Sequence, residues 1–181
     1  FILYSIFGIV LLSGCSAGFK QRWTNFRSYY NTFFNANQSY DRGFRVQIDQ
    51  LRSINPEVPV RVHLPAVRAA AKDFQNAIDK SADLLRKYPE SKWTDDAVFL
   101  IGRSYFFQQE LFSALEKFTE LYRITENRSL KQQGIYWRAR TLLDLRSYAQ
   151  VIEYVSPLLA DQDANWIDTW KAETYAVLAQ V

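Results

Sequence analysis

Cys15 is the only cysteine of this 181-residue chain. It follows Leu12, Ser13 and Gly14, at the end of a nearly unbroken apolar run, residues 1–12. Its thiol is the one group in the chain that can be alkylated to a stable thioether, and a disulfide within the chain is excluded because no second cysteine exists. Covalent modification is therefore the chemistry that Cys15 offers.

Other groupings that support catalysis or metal binding are missing from the sequence. His63 is the only histidine, and no second histidine, cysteine or acidic cluster lies near it in the sequence. The carboxylates Asp95 and Asp96 stand where a helix is predicted to begin, and there they interact favourably with the helix dipole. We therefore expect no enzymatic activity, no metal site and no cofactor, and no small-molecule substrate is indicated.

The composition is typical of a globular domain. Hydrophobic residues make up 48% of the chain and aromatic residues 16%, which is enough apolar surface for one domain of ordinary size. The formal net charge of +3 is spread along the chain without a basic block. This distribution argues against a nucleic-acid partner, because such proteins cluster their basic residues.

The stretch from Leu12 to Cys15 resembles the lipobox of bacterial lipoproteins, in which small residues precede the cysteine that carries a diacylglycerol. Residues 1–14 then correspond to a lipoprotein signal peptide, incomplete at its N-terminus because they contain neither methionine nor a basic residue. Ser16, where an aspartate would favour the inner membrane, implies anchoring in the outer membrane with the body in the periplasm. The alternative is a chance cysteine in an ordinary signal or in an anchor helix.

Residues 15–52, behind the lipidated cysteine, are predicted to form an aromatic amphipathic helix. Apolar residues recur there at helical steps of three and four, at Phe19, Trp23, Phe26, Tyr30, Phe33, Tyr40, Phe44, Ile48 and Leu51. This stripe can pack on later helices as core, or it can rest against lipid headgroups or a membrane-embedded partner. Residues 53–65 contain three prolines and are predicted to be a linker.

Residues 66–181 are predicted to form helices, and a two-helix unit recurs among them. Three breaks separate the helices, at residues 87–93, 124–129 and 160–166. Residues 97–122 align with residues 134–159, and residues 77–91 align with residues 114–128. Both alignments have an offset of 37 residues, which indicates an internal repeat.

The unit resembles the tetratricopeptide repeat, in which small residues let two helices approach closely while aromatic residues fill the adjoining layer. The matching positions hold Gly102, Tyr105, Ala114 and Phe118, with Ala139 in the next unit. The resemblance implies an all-α fold, a right-handed α-solenoid of tetratricopeptide-like helix pairs. The helix predicted at residues 66–88 has no preceding partner in its own unit, so we expect the aromatic N-terminal helix to take that place and cap the solenoid.

In tetratricopeptide solenoids, one helix of each pair lines a concave face that binds partners. The corresponding positions here hold Phe99, Arg103, Phe106 and Phe107 in one unit, and Tyr136, Arg140, Leu143 and Asp144 in the next. The resemblance implies that Arg103 and Arg140 stand side by side and bind an acidic or carboxylate-ended segment. Alternatively, Phe106 and Phe107 are partly core and the arginines pair with nearby carboxylates, such as Asp96 or Glu110.

A narrower resemblance combines the lipobox, the segment RWTNFRSYYNTFFNANQSYDRG and the repeat motifs. Together they are similar to the tetratricopeptide lipoproteins of the PorW/SprE type, which serve type IX secretion and gliding motility. The motifs DAVFLIGRSYFF and ALEKF are also shared with the BamD-type lipoproteins of outer-membrane protein assembly. These resemblances imply protein partners in the cell envelope. A module that serves a peptidoglycan enzyme or a Tol-Pal-type complex is a third interpretation.

The last predicted helix has an apolar face with no later helix to cover it, formed by Trp170, Tyr175, Val177, Leu178 and Val181. Because a solenoid needs its terminal apolar face covered, we expect further repeats beyond Val181. We also expect the isolated chain to self-associate through this end.

The lipoprotein interpretation predicts the behaviour of the Cys15→Ser variant. Because only a thiol can take the diacylglycerol, this variant should stay unlipidated and should be lost from the membrane fraction. Cell fractionation and mass spectrometry of the protein test this prediction. A Cys15→Ser protein that is fully membrane-bound and still carries the lipid mass would contradict it.

Overall fold

Helices make up almost all of the chain that the computed structural model describes, which is residues 18–52, 65–161 and 165–181. No strand occurs in these residues, and the predicted all-α fold is confirmed. The predictions for the signal peptide at residues 1–14 and for Cys15 lie outside the described residues. So do those for His63 and nearly all of the linker, residues 53–64.

The helices begin and end close to the predicted breaks. Residues 18–28 form α1, which continues through a π-helical turn, Tyr29–Phe33, into α2. The further bounds are α2 (Phe34–Arg52), α3 (Arg68–Lys87), α4 (Thr94–Phe107), α5 (Leu111–Ile124), α6 (Arg128–Asp144), α7 (Tyr148–Ala160) and α8 (Asp168–Leu178). None of the described helices combines the length and the apolar character that crossing a bilayer requires.

The turns after α4 and α6 have the same backbone geometry. Gln109 and Arg146 both adopt the left-handed region, with φ of 62° and 56°. In each turn the amide of the next residue, Glu110 or Ser147, donates to the carbonyl five residues back at 2.9 Å. The 37-residue offset seen in the sequence therefore recurs in the backbone, although the residues in the two turns differ.

Consecutive helices pack against one another from α2 to α7, and α8 packs on both α6 and α7. One buried core lies among α2, α3, α4 and α5 and reaches Leu130 of α6, and a second lies among α6, α7 and α8. As expected for the N-terminal helix, α2 lies along α3. In α8, Val177 is buried and Trp170 and Leu178 are half-buried, whereas Tyr175 and Val181 are exposed.

The residues predicted to pack within the repeat lie in these cores. A Cβ built on Gly102 would lie 2.7 Å from Cε1 of Phe118, so α4 and α5 approach as closely as a glycine allows. Ala114, Phe118 and Ala139 are fully buried, and Tyr105 packs against the first core from its edge. Helices α2 and α3 also cross closely at a glycine, since a Cβ on Gly43 of α2 would lie 3.1 Å from a ring carbon of Phe74 on α3.

The aromatic stripe divides at the π-helical turn. The amide of Phe34 donates to the carbonyl of Tyr29, five residues back, and this wider turn changes the direction of the side chains that follow. Beyond the turn, Tyr40 is buried and Phe44 packs on the core. Before the turn and at its start, the large apolar side chains that stay exposed are Phe19, Trp23, Phe26 and Tyr30. The stripe is therefore core at Tyr40 and Phe44 and is exposed at these four residues.

The Gly102 contact predicts the effect of the Gly102→Leu substitution. A side chain at this crossing must displace the buried Phe118 ring, and overpacking of this kind costs about 1–3 kcal/mol. Denaturant unfolding of the full chain should show this loss. Gly18→Leu is the matched control, because a Cβ on Gly18 meets no described atom within 4 Å. Equal stability of the two variants would refute the close crossing.

Candidate partner-binding site

Arg103 of α4 lies among aromatic rings from α2, α4 and α6. Its guanidinium carbon is 4.5 Å from the ring centroid of Tyr40 and 5.1 Å from that of Trp137. The centroids of Phe99 and Phe44 lie at 5.5 and 5.9 Å. A cation over aromatic faces is attracted by the ring quadrupoles, by about 0.5–2 kcal/mol per contact. Arg103 therefore joins three helices that are distant in the sequence.

Arg103 meets no carboxylate in the part of the chain that the structure describes. Among these residues no acidic group lies within 4 Å of its guanidinium, and its buried Nε has no hydrogen-bond partner. Neither Asp96 nor Glu110 pairs with it, contrary to the alternative interpretation. The positive charge of Arg103 is therefore not neutralised by a carboxylate of the described residues.

Arg140 lies on α6, and its nearest carboxylate belongs to the same helix. Its Nε is 3.8 Å from Oδ1 of Asp144, one turn further along α6. The side chain of Arg140 is 17% exposed and that of Asp144 is 1% exposed. Arg140 is therefore partly neutralised by Asp144, and its local partner is neither of the two acidic residues named from the sequence.

Tyr136 connects the two arginines. Burial raises the pKa of its phenol above the ordinary value, and the charges of Arg140 and, more weakly, Arg103 oppose this rise. Its ring centroid lies 5.4 Å from that of Trp137 and 5.9 Å from that of Trp170 on α8. We call this surface of α2, α4 and α6 the arginine face, defined by Phe44, Arg103, Tyr136, Trp137 and Arg140. The buried rings of Tyr40 and Phe99 contact Arg103 from within the core.

Four of the residues predicted to line the partner-binding face are core instead, namely Phe99, Phe106, Phe107 and Leu143. Phe106 and Phe107 are 1% and 4% exposed, so a partner cannot reach their rings in this arrangement. Phe107 stacks on Phe74 of α3 at 5.5 Å, and Phe106 meets Trp137 edge-on at 5.1 Å. The alternative interpretation of these two residues is therefore correct. Their burial follows from packing on both sides of α4, where α3 and α6 supply neighbours.

Phe99, Arg103, Tyr136 and Arg140 were predicted to share one face. Phe99 is buried, with its ring centroid 5.5 Å from the guanidinium carbon of Arg103, and Tyr136 feels the charges of both arginines. Tyr40, Phe44 and Trp137 were not predicted to lie near Arg103. A signal existed, because Tyr40 and Phe44 belong to the aromatic stripe and Trp137 follows Tyr136 directly. The packing of α2 and of α6 against α4 brings these three rings to Arg103.

The described part of the chain contains no group of three or more histidine, cysteine or acidic residues that could hold a metal ion. The arginine face instead combines two cations with aromatic rings. Such a surface suits recognition of a carboxylate with apolar neighbours.

Comparison of the chain with protein-family models, curated proteins and solved structures found no match.

The position of Tyr136 gives a test of the arginine face. Both arginines lower the pKa of its phenol, so Arg140→Ala and Arg103→Ala should each raise that pKa further, with the larger effect from Arg140→Ala. An alkaline titration followed by NMR of ring-labelled tyrosine measures the change. Arg128→Ala, at the other end of α6, is the control and should leave the pKa unchanged. An unchanged value in both arginine variants would show that they do not face Tyr136.

Proposed function

We propose that this protein is a lipid-anchored scaffold of the outer membrane that faces the periplasm and binds protein partners through tetratricopeptide-like helix pairs. On this proposal the pairs α2–α3, α4–α5 and α6–α7 are successive units of a right-handed α-solenoid. The repeated turn at Gln109 and Arg146 and the glycine crossings support repeated units. The lipobox at Leu12–Cys15 supports the anchor.

The observation that supports the proposal is Arg103, whose guanidinium has no carboxylate partner among the described residues and lies among aromatic rings. A cation without a carboxylate, held on a surface to which three helices contribute, is a preorganised site for an anionic group. The ligand that suits it is an acidic or carboxylate-ended protein segment, with the arginines binding the charge and the partly exposed rings of Phe44, Tyr136 and Trp137 contacting apolar side chains. We propose that the partners belong to type IX secretion or gliding machinery.

Affinity capture tests which machinery the scaffold serves. The lipidated chain, solubilised with its membrane in detergent, should recover secretion subunits of the periplasm and outer membrane. Recovery of outer-membrane assembly proteins would favour a BamD-like role. Recovery of peptidoglycan enzymes or of a Tol-Pal-type complex would favour an envelope binding module.

The arginine face predicts the binding of acidic peptides. A peptide with a C-terminal carboxylate and aromatic neighbours should bind the wild-type chain, and Arg140→Ala or Arg103→Ala should each weaken binding about tenfold or more, as for loss of a charge-assisted hydrogen bond. Calorimetry or fluorescence anisotropy measures the affinities. Arg128→Ala is the charge-matched control, and circular dichroism confirms that each variant is folded. Binding that survives both arginine substitutions would exclude this site.

A further inference from the structure

Helix α1 presents an aromatic surface to solvent. The exposed fractions are 72% for Phe19, 54% for Trp23, 53% for Phe26 and 56% for Tyr30. The rings of the last three contact one another along the helix, with centroids 5.8 Å apart for Trp23 and Phe26 and 4.7 Å apart for Phe26 and Tyr30, and Phe19 lies one turn before Trp23. We call these four side chains the aromatic face. It is a contiguous apolar surface rather than a set of scattered residues.

The polar side of α1 is turned toward the protein body. The amide of Gln21 donates to the carbonyl of Glu90 at 2.8 Å, and the hydroxyls of Ser28 and Ser91 lie 2.7 Å apart. The backbone amide of Lys92 donates to Oδ1 of Asn25 at 3.1 Å. These bonds attach α1 to the turn between α3 and α4.

This orientation is the reverse of that of an ordinary surface helix, which buries its apolar side and exposes its polar side. Tyr29 and Phe33 reinforce it, because their rings pack on Trp93 with centroids 4.8 and 5.2 Å away. The hydrogen bonds and ring contacts hold the aromatic face outward. Exposure of the face is thus built into the packing of α1.

We infer that the aromatic face of α1 docks on the surface of a lipid bilayer, with its rings at the level of the headgroups. Tryptophan, tyrosine and phenylalanine with flanking basic residues are the side chains that favour this interface. Lys20, Arg22 and Arg27 are exposed on the same helix, and the chain has no acidic residue before Asp41. The surface therefore suits anionic headgroups.

The charge pattern disfavours a second copy of this chain as the occupant. A symmetric contact brings the same patch of two molecules together. It would set Lys20, Arg22 and Arg27 against their own counterparts, with no carboxylate on α1 to compensate. Lipid phosphates would balance these positive charges, and the headgroup region of a bilayer accommodates aromatic rings.

The inference rests in part on the proposed lipid anchor. Phe19 is four positions after Cys15, so their Cα atoms are at most about 14 Å apart even in an extended chain. If Cys15 carries acyl chains in the bilayer, α1 is held at the headgroup region. Docking of the aromatic face then fixes how the body is oriented on the membrane, which an acyl anchor alone does not do.

Site-specific fluorescence on the lipidated chain tests the docking. In the lipidated protein the Cys15 sulfur is blocked, so Phe26→Cys or Trp23→Cys provides the reactive thiol for an environment-sensitive dye. The labelled chain is reconstituted into vesicles of phosphatidylethanolamine and phosphatidylglycerol. Phe112→Cys on α5 is the control, since Phe112 is 78% exposed and far from α1 in the sequence.

We expect a blue-shifted emission and quenching by brominated lipids at residues 26 and 23, and neither effect at residue 112. Both effects should weaken in vesicles of phosphatidylcholine alone. Equal, water-like emission at all three positions would overturn the inference. A blue shift that instead grows with protein concentration in lipid-free detergent would also overturn it and would identify a second copy as the occupant.

The experiment distinguishes failure of the lipid anchor at Cys15 from failure of docking by the aromatic face. Dye incorporation by the wild-type chain reports a free Cys15 thiol and therefore failure of the lipid anchor. Absence of quenching in a chain that takes no dye without an added cysteine reports failure of the docking alone. Circular dichroism of each labelled variant confirms that α1 and the body remain helical.

Discussion

The close crossing of α4 and α5 at Gly102 is the contact on which the arrangement of the other helices depends. It brings the Phe118 ring against the backbone of α4, and the same ring stacks on Trp137 of α6 with centroids 6.2 Å apart. Trp137 in turn forms one side of the surroundings of Arg103. The close approach of α4 and α5 at Gly102 is thus connected through the Phe118 ring to Trp137 and to the surroundings of Arg103.

Much of the helical framework could be predicted from the sequence, because the signals for it are local. Pro89 and the polar residues around it mark the end of α3, and the 37-residue offset anticipates the repeated turns at Gln109 and Arg146. Gly102 was recognisable as a crossing point because glycine in the middle of an apolar helix needs a packing reason. Each of these inferences uses residues within one or two helices.

The surroundings of Arg103 and the burial of α4 could not be predicted, because they depend on contacts between segments that are distant in the sequence. The resemblance to tetratricopeptide repeats implied that the two arginines are neighbours, but the rings of Tyr40 and Phe44 reach Arg103 only because α2 packs beside α4, across more than fifty residues. Phe106 was predicted to be exposed because a helix in a repeat shows one free side, whereas α4 is covered on both. The π-helical turn had no sequence signal, and it divides one continuous aromatic stripe into an exposed and a buried part.

That turn has a mechanical consequence. Helical hydrogen bonding is continuous from residue 18 through the π-helical turn to residue 52, so α1 and α2 form one rod. About 33 Å of rise separates residue 18 from Tyr40 at 1.5 Å per residue. This rod is fixed to the body at two places, since α1 is hydrogen-bonded to the turn between α3 and α4 and Tyr40 lies against the guanidinium of Arg103. The direction in which α1 leaves the body is therefore set by the same segment that supplies a ring to Arg103.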